Sequence, residues 1–187
     1  AVAATRTDEL DSSTVEELLL FDAIREHQPN FSVAFRHDVL RDWTIGFLLH
    51  NEPALLDTLA VSQPVPEALA RPLEFAARLA LDDDDTGNRW LSLLSKFDDA
   101  SLHGTWRRPI LLALTRSEHA FVLLEKFKAQ LLADEGRLLA ELLKLMQSVE
   151  TQPLKLVLQK VQPSLTIPAG AGDFMIPKGS GWTWLVF

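Results

Sequence analysis

Arg36, His37 and Asp38 carry more chemistry per position than any other stretch of this 187-residue chain. Before them, Phe31, Val33 and Phe35 alternate with Ser32 and Ala34, the two-residue period of a short strand with one face buried. After them, Val39, Leu40, Trp43 and Phe47 recur at three- and four-residue spacing, the period of a helix. The spacing predicts a strand between Pro29 and His37 and a helix from His37 to about His50, with Asp38 in the first turn, where the helix dipole favours a carboxylate. A guanidinium and an imidazole delivered at a helix start stand beside free backbone N–H groups, which suits an anion. Polar residues at a strand-to-helix corner are also ordinary in soluble proteins. On the residues alone, that plainer reading ranks first.

Other chemical patterns are incomplete. The phosphate loop G-x-x-x-x-G-K-[ST] is absent, and Gly170 and Gly172 in PAGAGD lack the strand–turn–helix surroundings of a glycine-rich nucleotide loop, so they read as a connection. Asp82, Asp84, Thr86 and Gly87 fall where the first, third, fifth and sixth positions of a calcium loop would lie, but the twelfth, which should be a bidentate glutamate, is Leu93. The acidic run reads instead as a solvated helix N-terminal cap. His27, His37, His50, His103 and His119 are never four apart on a helix, so a zinc site would need distant positions. The lack of cysteine removes disulfides, thiolate ligands and thiol nucleophiles together. No G-x-S-x-G elbow is present, and Trp106, Arg107 and Arg108 form a basic-aromatic spot that reads as a helix-end contact. No catalytic residue and no metal ligand is assigned, and the chain alone is not expected to be an enzyme.

The elements around the corner are predicted to be helical. Residues 1–11 are polar and aperiodic and read as a disordered lead-in. Ser13 with Glu16 offers a capping box for a helix running to near Pro29. Beyond the corner, a short helix is expected at about 53–60 and a longer one from Pro66 to Leu81, with Pro72 inside it. Further helices follow the stripe Trp90, Leu91, Leu94 and Phe97, then at Trp106–Thr115, Glu118–Asp134 and Gly136–Glu150, joined by short polar links that force antiparallel neighbours. The stretch from 161 to 187, rich in glycine and proline, reads as an irregular tail. The fold class is thus all-α, with antiparallel helical hairpins at 64–160 forming an irregular solenoid or a bundle.

Composition narrows the partners. With 26 acidic against 18 basic residues and a formal charge of −8, the chain would repel a polyanion, so nucleic acid is not an expected partner. The N-terminal stretch has no apolar signal region and no run is long enough to span a bilayer, so a cytoplasmic location without membrane contact is expected. A start without methionine and an end at Trp182, Trp184, Leu185, Val186 and Phe187 suggest a piece of a longer protein.

The string FSVAFRHDVLRDW, residues 31–43, resembles the winged-helix segment of the STAND class of signal-transducing NTPases, which includes NACHT and NB-ARC proteins and bacterial antiviral sensors. In many of them a strand of the sense F-R-H-D leads into a helix reading L-x-D-W; here the matching residues are Phe35, Arg36, His37 and Asp38, then Leu40, Asp42 and Trp43. The resemblance implies a partial winged helix at 12–61 that follows an ATPase core. It implies that His37, with Arg36 beside it and Asp38, Asp42 and Trp43 in support, senses the phosphates of bound ADP and holds an inactive, closed form. It further implies ADP or ATP with Mg in a full-length parent and no cofactor held by this segment alone. The implied partners are an upstream NTPase core of the same chain, a protein trigger on the helical array and a homo-oligomer formed in bacterial antiviral defence signalling. A stand-alone helical scaffold that binds a partner protein is the alternative, with a purely structural corner. Transcriptional regulation ranks last, because the helix at 37–50 has only Arg41 as a certain cation after its start.

Overall fold

The computed structural model describes residues 4–99, 101–161 and 174–178. Over these the chain is mostly helical, with small antiparallel sheets. It divides into two compact units, Ala1–Leu59 with Pro66–Ala76, and Ala60–Val65 with Ala77–Phe187.

The first unit begins with β1 (Thr5–Arg6), followed by α1 (Ser12–Leu20), β2 (Ile24–Gln28), β3 (Ser32–Phe35) and α2 (Asp38–Asn51). The strands form one antiparallel sheet in the order β1-β3-β2. Residues 5 and 6, expected in a loose lead-in, instead pair with the central strand, Thr5 opposite Val33 and Arg6 opposite Ser32. The expected helix from Ser13 to near Pro29 is also corrected. Its N-cap is Asp11, whose carboxylate accepts from the Thr14 amide at 2.9 Å and from the Ser13 and Thr14 hydroxyls. Those bonds, the Ser13 hydroxyl first, hold the Asp11 carboxyl below its ordinary pKa.

The same helix stops at Leu20, because Asp22 takes the left-handed conformation (φ 59°) and the amides of Asp22 and Ala23 turn back to the carbonyls of Leu19 and Leu18. This is a Schellman ending built on aspartate rather than glycine, so it carried no breaker signal. The charged string Ile24–Gln28 then becomes a strand, paired with β3 in the register Ile24 to Phe35, Arg25 to Ala34 and Glu26 to Val33. Because β3 lies centrally, Ser32, Val33 and Ala34 are all buried, while Phe31 is exposed, so the expected alternation holds only in part. The helix after the corner begins and ends within a residue of expectation. A short 3-10 helix, Pro53–Thr58, follows it, and α3 (Glu67–Asp82) contains Pro72 as anticipated.

In the second unit, α4 (Asn88–Ser95), α5 (Arg107–Arg116), α6 (Ala120–Lys126) and α7 (Lys128–Val149) are joined by short links. Every residue of α5 from Pro109 to Thr115 is buried, and α4, α6 and α7 pack against it. A helix apolar around its full circumference must be enclosed. Trp90 anchors the arrangement: fully buried, it donates its indole N–H to the Ile110 carbonyl at 3.1 Å and meets the Phe127 ring at 4.7 Å. The expected helix at Glu118–Asp134 is split at Phe127, and the expected break before Gly136 is present inside α7. There Ala133 is extended, and Asp134, Glu135 and Gly136 have φ of 50°, 58° and 74°.

The tail also needs correction. Met175–Pro177 is not irregular but forms β5, paired antiparallel with β4 (Thr151–Pro153); α8 (Leu154–Val161) lies between them in sequence. The rest of the expected loop at 162–173 and 179–187 lies outside the described residues. Among the described residues, no helix is long and apolar enough to cross a membrane.

The acidic run before α4 behaves as a cap. Asp84 accepts from the Thr86 amide and hydroxyl, at 2.9 and 2.5 Å, and from the Arg89 amide at 3.0 Å. The Thr86 hydroxyl, with the backbone bonds after it, lowers its pKa to about 2 from the usual 3.8. A depressed carboxyl pKa adds stability above the ordinary range that is lost as pH falls through the folded value. The thermal midpoint of wild type should therefore exceed that of Asp84→Asn by a constant margin from about pH 7 to about pH 4, and the margin should shrink between about pH 4 and about pH 2.

Candidate functional site

The corner between β3 and α2 is fixed from three sides. The Arg36 amide donates to the Ala23 carbonyl at 3.0 Å, and its guanidinium pairs with the carboxylate of Asp22, the left-handed residue that ends α1. The helix ending thus places the counter-charge for the corner. His37 follows in extended conformation, φ −129° and ψ 135°, and its carbonyl accepts the first amides of α2, from Leu40 at 3.1 Å and Arg41 at 3.3 Å.

Its imidazole does something different. The side chain makes no capping bond, is exposed, and has no hydrogen-bonding or ionic partner among the described residues. Both ring nitrogens are open to an external group, at the positive end of a 14-residue helix.

The acidic residues beside it are already committed. Arg41 lies between Asp38 and Asp42, donating to Asp38 at 3.0 Å and to Asp42 at 2.7 and 3.1 Å. The Asp42 side chain is only 6% exposed, and a buried carboxylate needs such a partner. The Asp42 hydrogen bond is the main cause raising the Arg41 pKa. Arg36 is thereby paired with Asp22, while the single charge of Arg41 serves both Asp38 and Asp42, which leaves one net negative charge beside His37. An arriving anion would find His37 as the unspent polar group at the helix start, with the exposed Asp38 carboxylate beside it held by Arg41.

Of the predicted set, the structure therefore brings Arg36, His37 and Asp38 to one corner and turns Asp42 inward beneath Arg41. Trp43 points outward, half exposed, and stacks on Phe47 with centroids 5.4 Å apart and planes at 12°. Sequence reasoning missed Asp22 and Arg41. The D-x-x-R-D spacing of Asp38, Arg41 and Asp42 was a readable signal for the second; nothing local marked the first, fourteen residues from Arg36.

The basic-aromatic spot is a structural contact. Arg107 donates to Glu141 at 3.1 and 3.2 Å and pairs with Asp98, while Trp106 is buried with its indole N–H on the Gln63 carbonyl at 2.7 Å. Arg137 shares Asp98 at 3.3 Å. No family model matches the chain, and no curated protein matches it.

Proposed function

We propose that the β3–α2 corner is the phosphate-sensing contact of a nucleotide-state switch, in a regulatory and partner-binding segment of a STAND-type NTPase that acts in bacterial antiviral defence. The observation that carries this reading is the exposed imidazole of His37, without a partner among the described residues at the start of a 14-residue helix, beside an Arg36 already paired with Asp22. The order of elements supports it: a helix is followed by an antiparallel hairpin whose second strand pairs with a strand before that helix, the order that the second half of a winged helix would have. The phosphates, ATP or ADP with Mg, would be held by a core elsewhere in the same protein, and the second unit would serve as lever and trigger surface.

The physics of such a switch is simple. A hydrogen bond from imidazole to a phosphate oxygen exists only while the corner and the nucleotide are together, so it stabilises the closed arrangement alone. A trigger must then bind the open form better, or nothing switches. Arg36 assists by fixing the backbone that carries His37, through Asp22. The experiment is the nucleotide content of the purified protein that contains both core and switch. Wild type should retain ADP through gel filtration and His37→Ala should lose most of it; equal occupancy in the two would refute the assignment.

A helical scaffold for a protein partner, with no nucleotide role, is favoured by one different observation, the apolar outward face of α2.

A further inference from the structure

In the second unit a cleft of about 270 Å³ opens beside α4 and α7. Its floor is aliphatic: Leu94 is buried, and Leu91 and Leu138 lie half-buried beside it. Its rim carries charge. Arg107 lines one side but is spent on Asp98 and Glu141, so it builds the wall rather than offering a donor. Other rim groups are not spent. The Arg137 side chain is 65% exposed and bonds only Asp98 among the described residues, at 3.3 and 3.4 Å, longer than the about 2.7–2.9 Å of a strong charge-assisted bond. The Asp134 carboxylate has no hydrogen-bonding or ionic partner among the described residues, and neither has the Gln130 amide.

The backbone explains why the two open charges stay apart. On a continuous helix an aspartate three residues before an arginine lies on the same face and pairs with it. Here Asp134, Glu135 and Gly136 are all left-handed, so the turn between the two side chains breaks the face on which they would meet. Left-handed backbone costs free energy at each non-glycine residue and persists only where the surroundings fix it. Leu131 before the turn and Leu142 after it, both fully buried, hold it in place. The outcome is a cation and an anion kept open at the rim of an apolar floor.

We infer that this cleft binds a small aliphatic zwitterion, a free amino acid with a branched apolar side chain. Its carboxylate pairs with Arg137, its ammonium with Asp134, and its side chain rests on Leu91, Leu94 and Leu138, while the Gln130 amide can donate to the one or accept from the other. The volume lies just below the range of about 300–1,000 Å³ that takes drug-sized ligands, which suits a molecule of single-amino-acid size. Charge selects the zwitterion. The charged groups lining the cleft, Asp98 and Asp134 against Arg107 and Arg137, cancel, so a ligand with one charge leaves an open group unmatched and a zwitterion satisfies both. This inference does not depend on a nucleotide role for His37.

Calorimetric titration of the purified chain with L-leucine tests it. Saturable binding is expected, with a Kd of about 0.1–1 mM. Isocaproate, which lacks the ammonium, and isoamylamine, which lacks the carboxylate, should each bind at least about tenfold more weakly. Asp134→Asn and Arg137→Gln should weaken leucine binding by at least about tenfold as well. Both positions are exposed, and asparagine is tolerated in left-handed backbone, so the circular dichroism of each variant should match that of wild type. Lys144→Gln, an exposed charge change on the same helix but outside the cleft, should leave the affinity unchanged. No saturation up to about 20 mM leucine, either comparator within about threefold of leucine, or wild-type affinity in both cleft variants would each overturn the inference.

Discussion

Trp90→Ala is expected to cost about 4 kcal/mol and to lower the thermal midpoint of the second unit by roughly 10 °C. The indole is fully buried between α5 and the Phe127 ring, so its removal leaves a cavity among side chains that are themselves fully buried and cannot collapse into it. It also takes away the donor to the Ile110 carbonyl, inside the helix around which the unit is built. Trp90→Phe should recover about half of the loss, because the ring volume is partly restored and the hydrogen bond is not. Chemical denaturation monitored by circular dichroism measures both. A loss below about 1 kcal/mol for the alanine variant would contradict the placement of Trp90.

A second large effect is expected at the contact that holds α2. A side chain at Gly46 would begin 2.7 Å from both the Cβ of Phe75 and the carbonyl oxygen of Pro72, which is closer than real contacts come, and neither atom is the end of a flexible chain. Helix propensity alone would favour replacing glycine here by up to about 1 kcal/mol. Overpacking opposes it by about 3 kcal/mol or more and decides the sign. Gly46→Val should therefore destabilise the first unit by about 3 kcal/mol, against the propensity ranking. Hydrogen exchange locates the damage. Amides of β3 and α2 should lose protection while those of α5 keep theirs.

These two sites show why some of the molecule is legible in its sequence. Period and punctuation give the helix after the corner to within a residue, the proline-started helices, and the break before Gly136, because each of these has a local cause. The strands were harder to read. Ile24–Gln28 carries four polar residues and continues a helical pattern, and only the left-handed Asp22, a conformation that aspartate adopts rarely, cuts the helix short. Thr5–Arg6 becomes a strand because β3 has a free edge next to it, a tertiary cause with no local trace. The same distinction runs through the candidate site. Position and exposure of His37 follow from the change of period, but its freedom from partners depends on Asp22 taking up Arg36 and on Arg41 taking up both neighbouring carboxylates. The apolar spacing on α2 places the helix but does not say which face turns inward: Asp42 and Gly46 are buried, while Trp43 and Phe47 stay half exposed.

In the proposed switch His37, and not the arginine beside it, reads the phosphate. The most direct test is the rate of ADP release from the protein containing core and switch, measured by displacement of a fluorescent ADP from wild type, His37→Ala and Arg36→Ala. A hydrogen bond to a charged group contributes about 1.5–3 kcal/mol, so His37→Ala should release ADP roughly 10- to 100-fold faster. Arg36→Ala should change the rate by less than about threefold, since that guanidinium is spent on Asp22 and its pair is solvent-exposed. A His37→Ala rate within about twofold of wild type, or a larger effect from Arg36→Ala than from His37→Ala, would contradict a phosphate-sensing role for His37.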